Sequence, residues 1–208
     1  MTLAILGTGG HAKSIYDIVK NRKKIYFFDK KKKILNFNEK KFVVRSSEEL
    51  VNYNKKDLLN VIVAIGNNEI RKKNYNKLKK NKFNFMTLIH PKSYSAYGSK
   101  VGEGTVILQG SLINTDTIIG NNCIINTNAS IDHDCVVNDH THICPGVTIA
   151  GNVTIGKNCW IGLGSKIIQN CIIGDNVFVA AGAVVTRNIK SNSMVKGIPA
   201  KYEKKSLA

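Results

Sequence analysis

Starting at Val101 and stepping by six, the chain reads Val101, Ile107, Ile113, Ile119, Ile125, Ile131, Val137, Ile143, Ile149, Ile155, Ile161, Ile167, Ile173, Val179 and Val185, fifteen consecutive positions that are all Ile or Val. A small residue often follows, as at Gly102, Gly120, Gly156, Gly162, Gly174 and Ala180. An α-helix repeats every ~3.6 residues and an amphipathic strand every two, so neither produces a period of six. Six residues suit one flat face of a parallel β-helix: a short strand that turns one apolar side chain inward, then a corner. Three faces complete a coil, and coils stack at the ~4.8 Å spacing of paired strands, so about five coils give a prism roughly 20–25 Å tall. The same arithmetic puts Cys123 and Cys159 on one face two coils apart, and likewise Cys135 and Cys171. A gap of roughly 9–10 Å is too long for a disulfide, so these cysteines read as small apolar fillers. Trp160, just before an inward Ile, reads as packing.

Ahead of the repeat the pattern changes. Residues 2–6 read as a buried strand, followed by the turn Gly7-Thr8-Gly9-Gly10-His11 and a helix with Ile15, Ile18 and Val19 on one face. Strand 25–29, a short strand 42–44 and a helix opened by the Ser46-x-x-Glu49 capping box come next. Strand 61–65, a lysine-rich helix 69–81 and a last strand 85–89 lead into the repeat. Strands alternating with helices predict a small parallel sheet. The fold class is therefore an α/β Rossmann-like subdomain, residues 1–90, followed by an all-β parallel β-helix, residues 91–208. A glycine-rich turn between a first strand and a helix brings backbone N–H groups to a phosphate. Gly7-x-Gly9-x-x-Ala12, with Asp29 further on, fits a relaxed dinucleotide fingerprint. A half-domain of this size has one mononucleotide-sized unit, so a nucleotide diphosphate suits the crevice at the strand ends better than NAD. Gly7, Asp29 and Gly66 converge there; a purely structural turn is the alternative.

The formal charge of +17 raises the question of nucleic acid, but the charge is unevenly spread. Residues 1–90 hold 21 Lys and Arg against 7 Asp and Glu, whereas residues 91–208 hold 10 against 7. The excess lies in runs such as Lys30–Lys33 and Lys72–Lys82, with few aromatics interleaved and no nucleic-acid module. A solvated lysine surface is the reading, with attraction of anionic ligands as its functional counterpart. No cysteine pair has Cys-x-x-Cys spacing, which argues against a zinc ribbon and for a reducing, cytoplasmic setting. No apolar run reaches the ~18–20 residues of a membrane span, and no basic leader is evident, so membrane insertion is not expected.

The densest polar interruption of the repeat is Asn126-Thr127-Asn128-Ala129-Ser130-Ile131-Asp132-His133-Asp134, followed by His140-Thr141-His142. A β-helix offers no evident internal reason to cluster acids and imidazoles on adjacent coils. Three readings compete: exposed turn histidines, a metal site drawn from His133, Cys135, His140, His142 and Cys144, or a general base. An imidazole held by Asp134 or Asp132 is the usual means of taking a proton from an amine or hydroxyl attacking a thioester.

Both halves together resemble the bacterial sugar acetyltransferases of the NeuD and PglD type. The residues that carry the likeness are the Gly-Gly-His turn, Phe28-Asp29, Ala64 to Arg71, Asn126-Thr127, His133-Asp134 and the tail Gly197-Ile198-Pro199-Ala200-Lys201. The resemblance implies a left-handed prism, a homotrimer, and acetyl-CoA as co-substrate with no metal. It implies N-acetylation of a UDP-4-amino-4,6-dideoxy sugar by direct transfer, serving surface glycan synthesis. His133 is then the base, Asp134 the acid behind it (where the PglD-type enzymes carry Glu), and Asn126 a pocket residue. His142 is an acetyl-CoA contact, the Gly151 N–H the oxyanion donor, and Leu163 and Ala181 line the pantetheine channel. Gly9, Gly10, His11, Asp29, Lys30 and Gly66 correspond to the nucleotide-sugar pocket. O-acetylation of sialic acid or a related nonulosonate is the alternative reaction, and a non-catalytic nucleotide-sugar-binding scaffold the alternative of another class.

Overall fold

The structure, a computed structural model, describes residues 2–22, 24–37, 40–54 and 60–203. The chain divides into two compact units, Met1–Leu88 and Ile89–Ala208.

In the first unit the elements run β1 (Leu3–Leu6), α1 (Gly10–Val19), β2 (Ile25–Asp29), β3 (Lys33–Phe37), β4 (Lys40–Ser46), α2 (Ser47–Asn54), β5 (Asn60–Val63), α3 (Asn68–Lys80) and β6 (Asn84–Phe85). They build one sheet in the order β3-β4-β2-β1-β5-β6, parallel except for β3. Continuous apolar runs at β1 and β5 follow from burial on both faces. Gly7 ends β1 with φ 112°, and a Cβ there would stand 2.7 Å from the Ala64 carbonyl oxygen. Only glycine lets the two strand ends approach so closely. The capping box at α2 forms: the Ser46 Oγ accepts the Glu48 N–H at 3.3 Å, and the Glu49 carboxylate accepts the Ser46 N–H.

Two expectations are corrected. The expected short strand 42–44 is longer, as β4, and it pairs antiparallel with β3, a strand not expected from the sequence that the exposed Lys33 opens. Alternation explains it: Phe37 and Phe42 turn inward against Phe27 and Tyr16, while Ile34 and Val43 remain exposed. The lysines obscured that alternation. The expected strand 85–89 is two strands with different partners. Asn84–Phe85 pairs with β5, while Leu88–Ile89 (β7) begins the first sheet of the repeat.

The second unit consists of two-residue strands, apart from the three-residue Met194–Lys196, in three sheets that are parallel except for the closing strand Lys201–Tyr202. The first sheet holds Leu88–Ile89, Val106–Ile107, Ile124–Ile125, His142–Ile143, Trp160–Ile161 and Phe178–Val179 and ends in Met194–Lys196 and Lys201–Tyr202. The second runs from Tyr94–Ser95 to Val184–Val185, the third from Lys100–Val101 to Ile172–Ile173. Partners differ by 18 residues, as in Ile125↔Ile143 and Ile143↔Ile161. Every member of the six-residue series is buried except the first, Val101, which is half-buried and packs on the same core. Each such side chain contributes about 1.5–3 kcal/mol of burial.

The corners have a period of their own. Every sixth residue from Gly98 to Gly182 has φ between 53° and 81°, and each is Gly, Asn or Asp apart from His140. These types tolerate the left-handed region best. The residue after each corner is buried, apart from the half-buried Ser99, and Cys123, Cys135, Cys159 and Cys171 share that slot with Thr105, Thr117 and Thr141. The threonine Oγ1 accepts the N–H of the cysteine one coil on, at 3.0–3.2 Å. All five cysteines are free and buried, and burial pushes the Cys144 thiol up to about 12. Trp160 packs on the outer side of the first sheet, stacked on Phe178.

Gly146 tests the corner rule cleanly, since its φ is 66° and an added Cβ meets nothing within 4 Å. Gly146→Val should lower stability by roughly 1–2 kcal/mol and Gly146→Asn by clearly less. Equal losses in thermal or urea unfolding would contradict the rule.

Candidate active site

The acids of the polar cluster have structural tasks that the sequence reading did not assign to them. Asp134 occupies a left-handed corner, φ 56°, between the second and third sheets. Asp132 accepts the His133 backbone N–H at 2.8 Å and the Asn114 Nδ2 at 2.9 Å. His140 also sits at a corner, φ 64°, buried with its Nδ1 2.9 Å from the Asn122 Nδ2. The fold therefore does have a use for acids and one imidazole at these positions.

His133 is different, because its side chain is 57% exposed. Its Nδ1 lies 2.7 Å from the Asp134 Oδ2, which selects Asp134 over Asp132 as the acid that orients the ring. The ring rests on Gly151, where a Cβ would come within 2.6 Å of Nε2. Any larger residue at 151 would displace the ring. The Asp134 hydrogen bond, reinforced by the Asp132 charge, holds the His133 pKa above the ordinary imidazole value. Asp132 in turn is held low, first by the His133 N–H and also by Asn114.

Among the described residues the Gly151 N–H is one of several left uncapped at its place in the hexapeptide, with those of Gln109, Asp139, Leu163, Gln169 and Ala181. At this place in the hexapeptide, the N–H groups of Glu103, Thr115, Asn121, Thr127, His133, Lys157 and Asp175 are each accepted by an Asn, Asp or Ser side chain. Ala150 precedes Gly151 where Asn114 and Asp132 precede Thr115 and His133, so no such acceptor is available. Among the described residues the Gly151 N–H has no hydrogen-bond partner. A donor left uncapped beside an imidazole Nε2 can serve an oxyanion.

Asn126, His142, Leu163 and Ala181 lie on or beside a different edge, between the first and second sheets. The Asn126 Oδ1 accepts the Thr127 N–H at 2.8 Å, and its Nδ2 lies 3.0 Å from the His142 Nε2. His142 is buried, with its ring edge-on to Trp160 at 4.6 Å. Leu163 and Ala181 are exposed corner residues one coil apart, and their N–H groups also have no partner among the described residues. One prism thus joins His133, Asp134 and Gly151 on one edge, and Asn126, His142, Leu163 and Ala181 along the next. It does not bring the two sets together. Among the described residues no three or more of His, Cys, Asp and Glu are arranged to hold a metal ion.

In the first unit, Gly9 caps α1 in an extended conformation, Gly10 opens the helix and His11 is half-buried in its first turn. A Cβ at Gly9, Gly10 or Gly66 would meet nothing within 4 Å, so packing does not require glycine there. Open space over a helix N-terminus leaves room for an anionic ligand. Asp29 is already engaged: its Oδ1 accepts the Lys30 N–H at 2.7 Å, and its Oδ2 accepts from the Thr8 hydroxyl and Lys33. Burial raises its pKa, but these donors together outweigh burial and the net shift is downward. The sequence reading missed Thr8, the Asn67 cap of α3, whose Oδ1 accepts the Ile70 N–H at 3.0 Å, and the buried Arg71. Asn67 three residues before Ile70, and Asn68, Arg71, Tyr75 and Leu78 at helical spacing, were the available signals.

The PglD N-terminal domain family matches residues 2–78, and the bacterial transferase hexapeptide family matches residues 116–151 and 152–187. A UDP-N-acetylbacillosamine N-acetyltransferase from Bacillus subtilis is 34% identical over 114 residues, which is 51% of this chain and 50% of that relative. The chain's match thus spans half the length of that curated relative. The acetyltransferase domain of PglB from Neisseria gonorrhoeae, solved with acetyl coenzyme A, is 30% identical with a TM-score of 0.90, covering 97% of this chain and 98% of that one. A point variant of perosamine N-acetyltransferase from Caulobacter crescentus, solved with CoA and GDP-perosamine, is 30% identical with a TM-score of 0.92, over 99% and 98% of the two chains. The second unit is accordingly a left-handed hexapeptide prism, and it follows a Rossmann-like unit in the sequence. With both units matched along nearly their full length, the chain belongs to the PglD-type family of bacterial hexapeptide-repeat sugar acetyltransferases.

Proposed function

We propose that this chain transfers the acetyl group of acetyl-CoA to the amine of a nucleotide-linked amino sugar, by direct attack, in the synthesis of a surface glycan. The observation that carries the reading is the His133–Asp134 pair lying against the uncapped N–H of Gly151. Asp134 holds Nδ1, which leaves Nε2 to accept a proton. As the amine nitrogen bonds to the thioester carbonyl carbon, its proton passes to Nε2 and the carbonyl oxygen gains negative charge. The Gly151 N–H donates to that oxygen; one such donor is typically worth about 2.7–4 kcal/mol. The C–S bond then breaks and the imidazolium returns its proton to the departing thiolate. All five cysteines are buried, which leaves no thiol placed to form an acyl-enzyme and favours the direct route.

His142, Leu163 and Ala181 serve acetyl-CoA in this reading, and Asn126 orients His142. Their edge is separate from that of His133, so a complete site takes one edge from each of two copies. This supports the homotrimer, as do the apolar side chains exposed on the second and third sheets at Tyr94, Leu112, Ile118 and Ile172. The nucleotide sugar belongs to the first unit, at Gly9, Gly10, His11, Asp29, Lys30 and Gly66. A nucleotide-linked sugar as acceptor is supported by the relatives' ligands, one of which is GDP-perosamine. No helix among the described residues is long and apolar enough to cross a membrane, and a cytoplasmic location accords with the free cysteines.

The direct assay is thiol release from acetyl-CoA against a panel of nucleotide-linked 4-amino sugars, with sialic acid alongside. Turnover is expected with one amino sugar; turnover with sialic acid alone would move the reaction to O-acetylation. His133→Ala should lose roughly a hundred- to ten-thousandfold in kcat while still binding acetyl-CoA; an unchanged kcat would remove His133 from the mechanism. The pH dependence has a definite sign. His133 accepts a proton only when neutral, above its raised pKa, so kcat/KM should fall on the acid side. Asp134→Asn removes the anion that favours the imidazolium, and the acid limb should move to lower pH as the plateau falls. A limb that stays in place would show that Asp134 does not set the titration.

A further inference from the structure

Arg71 is 1% exposed, the largest fully buried side chain among the described residues, in the first turns of α3. Its guanidinium does not point to solvent. Nη1 donates to the Ile65 carbonyl at 3.2 Å and to the Gly66 carbonyl at 2.9 Å, and Nη2 donates to the Asn68 Oδ1 at 2.8 Å. Two successive carbonyls of the β5–α3 turn are thereby drawn to one cation. In a trans peptide the C=O of one residue and the N–H of the next point in opposite directions. Holding the Ile65 and Gly66 carbonyls inward therefore turns the Gly66 and Asn67 N–H groups outward. Neither N–H has a partner among the described residues, and a Cβ at Gly66 would meet nothing within 4 Å. The turn sits at the C-terminal end of β5, the strand beside β1, where Gly7 packs on Ala64. In open α/β sheets such strand ends are where ligands bind.

We infer that Arg71 is a positioning residue for the nucleotide sugar: it presents the Gly66 and Asn67 N–H groups as a paired donor to the ligand's diphosphate. The inference rests on the reading that the first unit takes a nucleotide sugar. The buried guanidinium adds positive charge behind the turn without touching the ligand, and charge-assisted bonds to the carbonyls keep the donors fixed before binding. Preorganised donors affect binding of the ground-state ligand more than the chemistry on the other unit. Loss of Arg71 should therefore appear in the KM for the nucleotide sugar.

The test compares Arg71→Lys and Arg71→Met with the wild-type chain. Arg71→Met should raise the nucleotide-sugar KM about tenfold or more (1.4 kcal/mol per tenfold), with kcat and the acetyl-CoA KM within about twofold. Arg71→Lys keeps the charge but not the planar fork, and should give an intermediate KM. Should the Met variant not fold, the Lys variant decides alone, with thermal unfolding as its control. Calorimetric titration with UDP and with GDP supplies a second readout, in which the variants should bind the preferred nucleotide more weakly. Wild-type KM and nucleotide affinity in Arg71→Lys and Arg71→Met, or losses shared equally by kcat and the acetyl-CoA KM, would overturn the inference. A wild-type chain that binds neither nucleotide nor any nucleotide sugar, while still binding acetyl-CoA, would overturn the nucleotide-sugar reading itself.

Discussion

The inward stack of Ile and Val is the constraint on which the rest of the prism depends. All but one of its strands are only two residues long, too short to hold their own register through their hydrogen bonds. Register comes from burial: a slip of one residue would carry an inward Ile to the outside and bring a polar or outward-facing neighbour in, on every coil it touched. With the inward position set at every sixth residue, the corner, the buried slot behind it and the outward strand position are set as well. A residue's number in the chain thus specifies its edge, its coil and its direction. That is how an exposed imidazole at 133 comes to lie over a glycine at 151, one coil on.

The corners show what the backbone requires and where it has been left unmet. Six residues of chain per face leave one N–H at each corner outside the ladders, and over much of the prism a side chain accepts it. On the edge between the third and first sheets this forms a column: Asn121 caps Glu103, Asp139 caps Asn121, Asp175 caps Lys157 and Ser191 caps Asp175. The column breaks at Asp139, and among the described residues the other two edges are uncapped at Gln109, Gly151, Leu163, Gln169 and Ala181. At the exposed corners Leu163 and Ala181 an uncapped N–H costs little in water, whereas at the buried Gly151 it is a stronger donor to any acceptor that reaches it. Uncapped N–H groups occur on all three edges, so it is the His133 ring lying over Gly151 that sets this corner apart.

Much of this was legible in the sequence, and the exceptions share a physical cause. The period of six exposed the prism, its coil length and the role of the cysteines, because burial repeats fifteen times with no competing signal. The second period, of Gly, Asn and Asp at the corners, was equally present in the chain and accounts for Asp134 and His140, which at first look purely chemical. The β3–β4 hairpin was hidden because lysines flank it, so charge outweighed the alternation of Leu35 and Phe37. The split of residues 84–89 was hidden because pairing partners are non-local: nothing in Phe85 or Leu88 says that they serve different sheets. Arg71 looked like one more cation in a basic helix. Its burial and its bonds to the Ile65 and Gly66 carbonyls and to Asn68 separate it from the solvated lysines that follow.

Placing the chemistry at corners also separates stability from activity within the second unit. The inward side chains carry the burial energy, and the acids at 132 and 134 satisfy the backbone whether or not a histidine stands between them. Relative to the neighbouring coils, the edge proposed as catalytic differs in His at 133, Gly at 151, which admits its ring, and Ala at 150, which supplies no cap to the adjoining N–H. None of these changes touches the core. Asp134 serves twice, as the residue that tolerates a left-handed corner and as the anion that orients Nδ1. Asn can fill the first role, as it does at Asn152 and Asn170 along the same edge, but it lacks the charge for the second. Asp116 fills an equivalent corner on the same edge, so what sets Asp134 apart is the imidazole Nδ1 that its carboxylate holds.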